Sequence, residues 1–489
     1  MTQVHSAMVD VALEATLLKL LAYCDANGWA GYDPYDALNS RVFEALPFLN
    51  SRLPRLVLTQ AMKRSPINLR RLLLVPKTRN PKALALFLSA LLKLDGIGHT
   101  GPKAAIQMMI EQLISLRSTG VPYWCWGYSF PWQTRTELVP RGAPNLVSTT
   151  FAANAFLDAY ECQGNPRYLE IAASAAWYMV NDLYWADGSS AGFAYPRPSM
   201  RNQVHNANFL AAALLCRVHH HTGDAGLLEP AFRAARASAS RQAPNGSWAY
   251  GEGKSQSWID NFHTGYNLCA LRSIARHTGT AEFDECITRG FAFYRDHFFC
   301  PDGSVRYYHD RDYPKDIHCV AQALITLITL DDLDPSSRTL AQSALRWALE
   351  RMWDENGFFY YRVHRLKTVR TSYMRWSQAW MLLALATMVE HSMRGRTQQT
   401  QTSAMIARLD ANKASLADGV PSGPDSDPSH DREGVVDAHG VRLLRGGDLV
   451  DQEGHRLKDY HVKVGKLETD ATRCPPGARY FESSVRTIE

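Results

Sequence analysis

Four times between residues 186 and 361 the chain repeats one local pattern, and this repeat limits the fold more than any other feature. Each copy leaves a helix through Asp-Gly or Asn-Gly, passes an aromatic cluster and polar residues, and enters an apolar helix. The copies are Ala186-Asp187-Gly188 leading to Phe193-Ala194-Tyr195-Pro196, and Asn245-Gly246 leading to Trp248-Ala249-Tyr250-Gly251. Asp302-Gly303 leads to Val305-Arg306-Tyr307-Tyr308, and Asn356-Gly357 to Phe358-Phe359-Tyr360-Tyr361. A degenerate earlier copy spans 120–132, with Tyr123, Trp124, Trp126, Tyr128 and Phe130. Asp-Gly and Asn-Gly provide the positive φ angles of tight turns, and alternating aromatics suit a brief extended segment. Equivalent apolar positions at Phe156, Leu214, Leu271, Leu324 and Leu383 recur at roughly 55-residue spacing, the signature of a repeat architecture.

The helices that follow the turns, such as 211–215 and 320–330, are apolar nearly all round and are therefore expected inside. Their partners, such as 227–241 and 336–352, are amphipathic and belong outside. The predicted pairs are 82–94 with 104–116, 147–161 with 167–183, 207–221 with 225–240, 262–277 with 281–297, and 317–330 with 336–352. A last helix over 373–391 lacks a following partner, and the N-terminal helix around 8–26 can pair with it to close a ring. The expected fold is all-α: an (α/α)6 toroid of about six helical hairpins, with short aromatic turn loops at one end.

This grammar stops near Arg394, which divides the chain into a toroid over 1–392 and a polar tail over 393–489. The stretch 418–434 is rich in Pro, Ser, Gly and Asp, no tryptophan follows Trp380, and the tail is expected to be disordered apart from a short hairpin within 441–464. The net charge of +5 is too mild for a dedicated nucleic-acid binder, which shows a concentrated basic stripe. Nine cysteines (Cys24, Cys125, Cys162, Cys216, Cys269, Cys286, Cys300, Cys319 and Cys474) are scattered singly with no CxxC spacing, which reads as reduced thiols. Asp10 and Glu14 interrupt the N-terminal helix, so it is not a signal peptide, and no apolar run is long enough to span a bilayer. The expected location is the cytoplasm.

Several strings carry a resemblance: Gly31-Tyr32-Asp33-Pro34-Tyr35-Asp36, Trp126-Gly127-Tyr128, Val204-His205-Asn206-Ala207-Asn208, Asp260-Asn261-Phe262-His263-Thr264-Gly265-Tyr266, Asp316-Ile317-His318 and Arg375-Trp376-Ser377-Gln378-Ala379-Trp380. With them the chain resembles the six-hairpin glycosidase-like superfamily over about residues 8–392, and within it the proteins of bacterial exopolysaccharide biosynthesis clusters. The resemblance implies the toroid fold and a role in glycan handling. It does not select a reaction, because this superfamily holds hydrolases, lyases, epimerases and proteins without known activity. A porphobilinogen-synthase label, carried by some proteins of this appearance, does not fit: the strand–helix alternation of a β/α barrel and a zinc-type cysteine cluster are both missing.

Repeat geometry places each aromatic turn before an inner helix, so the turns face one end of the toroid and converge on a central funnel. Trp and Tyr match sugars, giving flat apolar contact and one polar handle. Trp126, Tyr128, Trp248, Tyr250, Tyr307 and Trp376 are candidate contacts, although each alone reads equally as loop packing. His205, Asn206, Tyr266 and Arg375 are further candidate binding residues. Hydrolysis of a glycosidic bond needs two carboxyl groups, and Asp36 and Asp260 are the first choices, with Asp316 next. Asp260 and Asp316 also read as ordinary helix N-caps. His263 and His318 recur at near-equivalent repeat positions, which points to proton transfer or sugar binding. A lyase or uronate epimerase would use these histidines and Tyr266, with Asn206, Asn261 and Arg375 stabilising enolate-like charge.

Other chemistries find no motif. No GxGxxG follows a strand, Walker A and GxSxG are absent, and no HxxxH pairing supports a metal. Trp124-Cys125-Trp126-Gly127 resembles a lanthionine-cyclase string without that family's zinc set, and the Asp-rich motif of terpene cyclases is missing. No cofactor is implied. The expected partner is an oligo- or polysaccharide, acidic if the arginines of 306–316 and 362–375 make the funnel mouth positive. The expected function is cleavage or modification of a glycan in exopolysaccharide production, with glycoside hydrolysis favoured. The alternatives are a uronate lyase or epimerase, or a non-catalytic glycan-binding subunit.

Overall fold

The computed structural model describes residues 2–99, 103–134, 137–188 and 190–396, and five short strands beyond residue 434. The chain divides into two compact units, Met1–Met393 and Arg394–Glu489. In the first, α1 (Thr2–Ala26) is followed by a 3-10 turn (Asp36–Asn39), the short α2 (Arg41–Glu44) and α3 (Arg52–Arg64). Then come α4 (Pro81–Gly96), α5 (Lys103–Ser115), α6 (Leu146–Gln163), α7 (Pro166–Tyr178), α8 (His205–Thr222) and α9 (Leu228–Ala239). The unit ends with α10 (Asn261–Thr278), α11 (Asp284–Phe298), α12 (Ile317–Thr329), α13 (Ser337–Met352) and α14 over 379–396.

The apolar-all-round helices are inside, as their composition requires. Helices α4, α6, α8, α10 and α12 pack each on the next, and the ring returns to α4 through the turn Met374–Gln378 that leads into α14. Lys93 on α4 pairs with Glu390 on α14 at 2.6 Å. Helices α5, α7, α9, α11 and α13 back their inner neighbours. The N-terminal helix takes the sixth outer place: α1 packs on the 374–378 turn, and the Tyr23 hydroxyl donates to Ser372 Oγ at 2.9 Å. One continuous core runs through both rings, from Leu13 to Val389. Inner helices approach closely where side chains are small. A Cβ on Gly265 of α10 would lie 2.7 Å from Gln322 Cγ and Thr326 Oγ1 of α12.

The turn glycines Gly188, Gly246, Gly303 and Gly357 all have positive φ, as Asp-Gly and Asn-Gly imply. Only two of the four copies become hairpins: Tyr184–Asp187 with Ser190–Phe193, and Trp353–Asp354 with Phe358–Phe359. The other two form no two-residue strands: a single bridge, Phe299 with Val305, closes the Asp302-Gly303 turn, and the emerging chains bridge to neighbouring loops, Val204 with Gly251 and Asp260 with Tyr308. Among the described residues no helix is long and apolar enough to cross a membrane, and the described cysteines are free.

In the second unit Arg442–Leu443 pairs with Val435–Val436 and Leu449–Val450, and His461–Lys463 pairs with Lys466–Glu468. The pairing of Arg442–Leu443 with Leu449–Val450 falls within the hairpin expected over 441–464, and Val435–Val436 lies outside it. The expected disorder of the tail lies outside the described residues.

Candidate active site

Helix starts build the site. The six inner helical segments begin after Asn80, Asn145, Val204, Asp260, Asp316 and Tyr373. Asn80, Asn145, Asp260 and Asp316 accept a backbone N–H of their own first turn, satisfying donors that the helix leaves unpaired. The second residue after each of these six positions is Lys82, Val147, Asn206, Phe262, His318 and Arg375. One place in the repeat therefore carries a different chemistry on each inner helix. Lys82, Phe262 and His318 meet through the rings of Phe151, Tyr266, Trp376 and Trp380. Five of the six inner helices thus contribute to one cluster, and Arg375 stands beside it over the Trp376 ring.

The carboxylates are committed to structure. Asp316 is fully buried; it accepts the His318 backbone N–H (3.0 Å), Trp376 Nε1 (3.0 Å) and Arg362 through Nε (2.8 Å) and a terminal nitrogen (2.5 Å). Asp33 forms a two-pronged pair with Arg375, at 2.6 and 2.9 Å. Asp36 holds Arg70 Nε at 2.7 Å and the Asp33 backbone N–H at 2.8 Å. Burial pushes the Asp36 carboxyl up to about 6, against the pull of Arg70. Arg70 in turn reaches the Tyr373 hydroxyl and the Asp33 carbonyl. These two ion pairs lock the 33–36 turn against the start of the last inner helix, as ring closure requires.

Asp260 has a different task. Its Oδ1 caps α10 by accepting the His263 N–H (3.0 Å), and its Oδ2 accepts Trp258 Nε1 (3.1 Å) and His263 Nδ1 (2.7 Å). An ionised carboxylate only accepts, so Nδ1 carries a proton towards Asp260, and in the neutral imidazole Nε2 is the acceptor. The Asp260 side chain is 1% exposed and that of His263 is 21% exposed, so the histidine, not the aspartate, meets solvent. This is an imidazole held by an orienting carboxylate, a geometry that general-base chemistry requires. The oxygens of Asp36, Asp260 and Asp316 face arginine, indole, imidazole and backbone N–H donors.

His318 lies between Phe262 and Trp380, each ring 4.6 Å away and nearly parallel. Burial pushes its pKa well down, with Lys82, Arg375 and His263 acting the same way. Burial holds the Tyr266 hydroxyl well above its usual range, so it stays protonated and donates to His318 Nε2 at 2.6 Å. His318 is then a neutral imidazole whose Nδ1 is sealed without a partner among the described residues.

Lys82 was not foreseen. It is buried, its Nζ makes no hydrogen bond or ion pair among the described residues, and that Nζ lies 4.2 Å from the Phe151 ring centre, 5.1 Å from Trp380 and 5.5 Å from Tyr266. Burial pushes its amine well down, reinforced by Arg375 and opposed by Asp33. The repeat register could have found it, because Asn80-Pro81-Lys82 parallels Asp316-Ile317-His318.

The aromatic candidates divide. Tyr250 lies on Trp258 (4.6 Å, 13°) and beside His263 (4.7 Å). Tyr307 stands edge-on to Phe262, with Arg362 over its ring. Tyr128 stacks on Phe130 and meets Arg375 at 5.0 Å. Tyr250, Tyr307 and Tyr128 are half-buried. Trp376 joins the cluster edge-on to His318. Trp126 and Trp248 are both buried, and their indoles donate to the Leu113 and Ser238 carbonyls. His205 also turns outward, to Ser238 Oγ at 3.2 Å, and burial with Arg241 depresses it to about 4. Asn206 is buried, and its Oδ1 has no partner among the described residues. No group of His, Cys, Asp and Glu among the described residues is placed to hold a metal.

No protein-family model matches the sequence, and no curated protein matches it. Solved structures do share the fold. The cellobiose 2-epimerase of Bacillus thermoamylovorans is similar with a TM-score of 0.52 at 11% identity, over 64% of this chain and 88% of that one. An unsaturated glucuronyl hydrolase from Streptococcus agalactiae gives 0.51 at 13% identity, over 78% and 91%. A sugar epimerase from a ruminal bacterium gives 0.51 at 11%, over 64% and 87%. At such identities the likeness concerns the fold alone, and that fold is the (α/α)6 toroid.

Proposed function

We propose that this chain is a carbohydrate-active enzyme that moves a proton at a sugar carbon, with His263 as the base. The observation that carries this reading is the Asp260–His263 pair: a partly exposed imidazole held by a buried carboxylate, while Asp33, Asp36 and Asp316 are committed to ion pairs. Abstraction beside a carbonyl or carboxylate leaves negative charge on oxygen, which Arg375, the Tyr266 hydroxyl and the Lys82 amine border. Its products are those of epimerisation or elimination. The Tyr250–Trp258 platform and Tyr128 offer flat faces for sugar rings. Fold relatives named as sugar epimerases and as a glucuronyl hydrolase are in keeping with a saccharide substrate. The setting we assign is polysaccharide production in the cytoplasm, with exopolysaccharide as the product.

Hydrolysis, the sequence's first expectation, is the weaker reading, because a carboxyl pair free to flank a glycosidic bond is not found among the described residues. The test is mass spectrometry of a panel of neutral and acidic oligosaccharides, incubated with the protein in deuterium oxide and separately in heavy-oxygen water. Deuterium gained at a sugar carbon, or an unsaturated end without heavy oxygen, is the expected result. Cleavage with heavy-oxygen uptake would overturn proton transfer in favour of hydrolysis. Binding with neither change would assign a glycan-binding subunit, which the aromatic platform alone would serve.

A further inference from the structure

Eleven large apolar residues are exposed in the described structure, and eight of them lie on one arm: seven between Val42 and Leu74, and the eighth at Leu366. Helix α3 shows why. It buries Thr59 and Met62 and turns Leu53 (71% exposed) and Val57 (58%) outward, one helical turn apart. Phe48, Ile67 and Leu72 stand 76%, 69% and 75% exposed on the flanking segments. Leu366, 95% exposed, tips the loop between the strands Arg362–Val363 and Thr368–Val369. That loop is tied to the end of α3, where Lys367 Nζ donates to the Arg64 carbonyl at 3.0 Å. Scattered exposed leucines need no explanation, but a concentration like this marks an interaction surface.

Charge identifies the partner. From Arg41 to Arg79 the chain carries nine Lys and Arg and one acid, Glu44. Arg70 is sealed against Asp36, whereas Arg41, Arg52, Arg64, Arg71 and Lys77 are exposed. The loop adds Arg365 and Lys367. Outward apolar residues interleaved with cations are the composition of an element that lies in a membrane interface. A second copy docked on this face would bring like charges together.

We propose that the 41–79 arm and the Leu366 loop form a docking face for an anionic lipid surface, so that the protein lies on a membrane without crossing it. The arm joins the end of α1 to the start of α4, and it is tied to the site end of the toroid through Lys63 on the Tyr35 hydroxyl and Arg70 on Asp36. Docking would hold the funnel mouth beside the headgroups, where a membrane-attached glycan is presented. This holds whether or not the site is catalytic.

The test is flotation of the full chain with vesicles of two parts phosphatidylcholine to one part phosphatidylglycerol, and with pure phosphatidylcholine. The protein is expected to float with the anionic vesicles only, and less at high salt, which screens the charges. Leu53→Asp with Val57→Asp should lower the bound fraction about tenfold or more. Arg52→Gln with Arg64→Gln should lower the partition about fivefold per charge removed. All four sites are exposed, so the melting temperature of each variant reports that the fold is kept. No flotation on either vesicle, or flotation that the apolar variant leaves unchanged, would overturn the proposal. So would a concentration-dependent dimer that the apolar variant dissolves, which would assign the face to a second copy.

Discussion

His263 separates two tasks that a lone histidine cannot: Asp260 takes one nitrogen and fixes the proton there, and the other nitrogen remains for chemistry. His263→Gln should lower kcat by about 10²- to 10⁴-fold, the usual contribution of a general base, with little change in melting temperature. Asp260→Asn is more discriminating. Asn caps a helix about as well as Asp, so stability should hold while kcat falls. Thermal melts beside isotope-exchange rates would show the split. Lys82 gives a test with a fixed sign. Burial holds its folded amine well below its usual 10.5, so the unfolded chain binds a proton that the folded chain does not, and stability rises with pH up to that range. Lys82→Met should melt higher than the parent at neutral pH, with a difference that shrinks towards pH 10.5. His205, depressed to about 4, makes the fold less stable as pH falls from 6.5 to about 4, by on the order of 3 kcal/mol. His205→Gln should flatten that part of a urea-melt pH profile. Much of the site was legible because it repeats: Asp260 with His263 and Asp316 with His318 stand at related places in one pattern. Lys82 was not, because no aromatic turn of the common form precedes its helix. Trp248 and Tyr250 could not be told apart by type. Which one faces the funnel depends on an irregular loop, not on strand alternation.

At the scale of elements, packing of one inner helix on the next depends on small residues as much as on apolar ones. Gly265→Ala should gain about 1 kcal/mol in helix propensity. A Cβ there meets Gln322 and Thr326 at 2.7 Å, however, and overpacking of this kind costs about 1–3 kcal/mol. The expected net result is a lower denaturation midpoint with unchanged helicity by circular dichroism. The expected helices lie close to the observed ones because inside and outside helices differ in composition, and composition is local information. The strands were less legible. Asp-Gly and Asn-Gly set the turn in all four copies, but whether a hairpin follows depends on which neighbouring loop pairs with the emerging chain, as Tyr308 does with Asp260.

The whole toroid is a closed ring, with the first helix of the chain packed against the last turn. An open stack of repeats frays from its ends, whereas each inner helix here has two inner neighbours. Unfolding of the 1–393 unit should therefore be one transition, with tryptophan fluorescence and far-ultraviolet circular dichroism tracing the same curve in urea. Two resolved steps would show that the ring opens before it melts. The ring also separates two kinds of instruction. At four of the six inner-helix starts a capping side chain serves folding, and the residue two places after each start differs from helix to helix. Those six places, from Lys82 round to Arg375, work as a dial whose letters are set independently of the case that holds them. A library confined to the places other than Arg375, whose pair with Asp33 helps to close the ring, would sample new ligand preferences while the caps and the turns stay as they are.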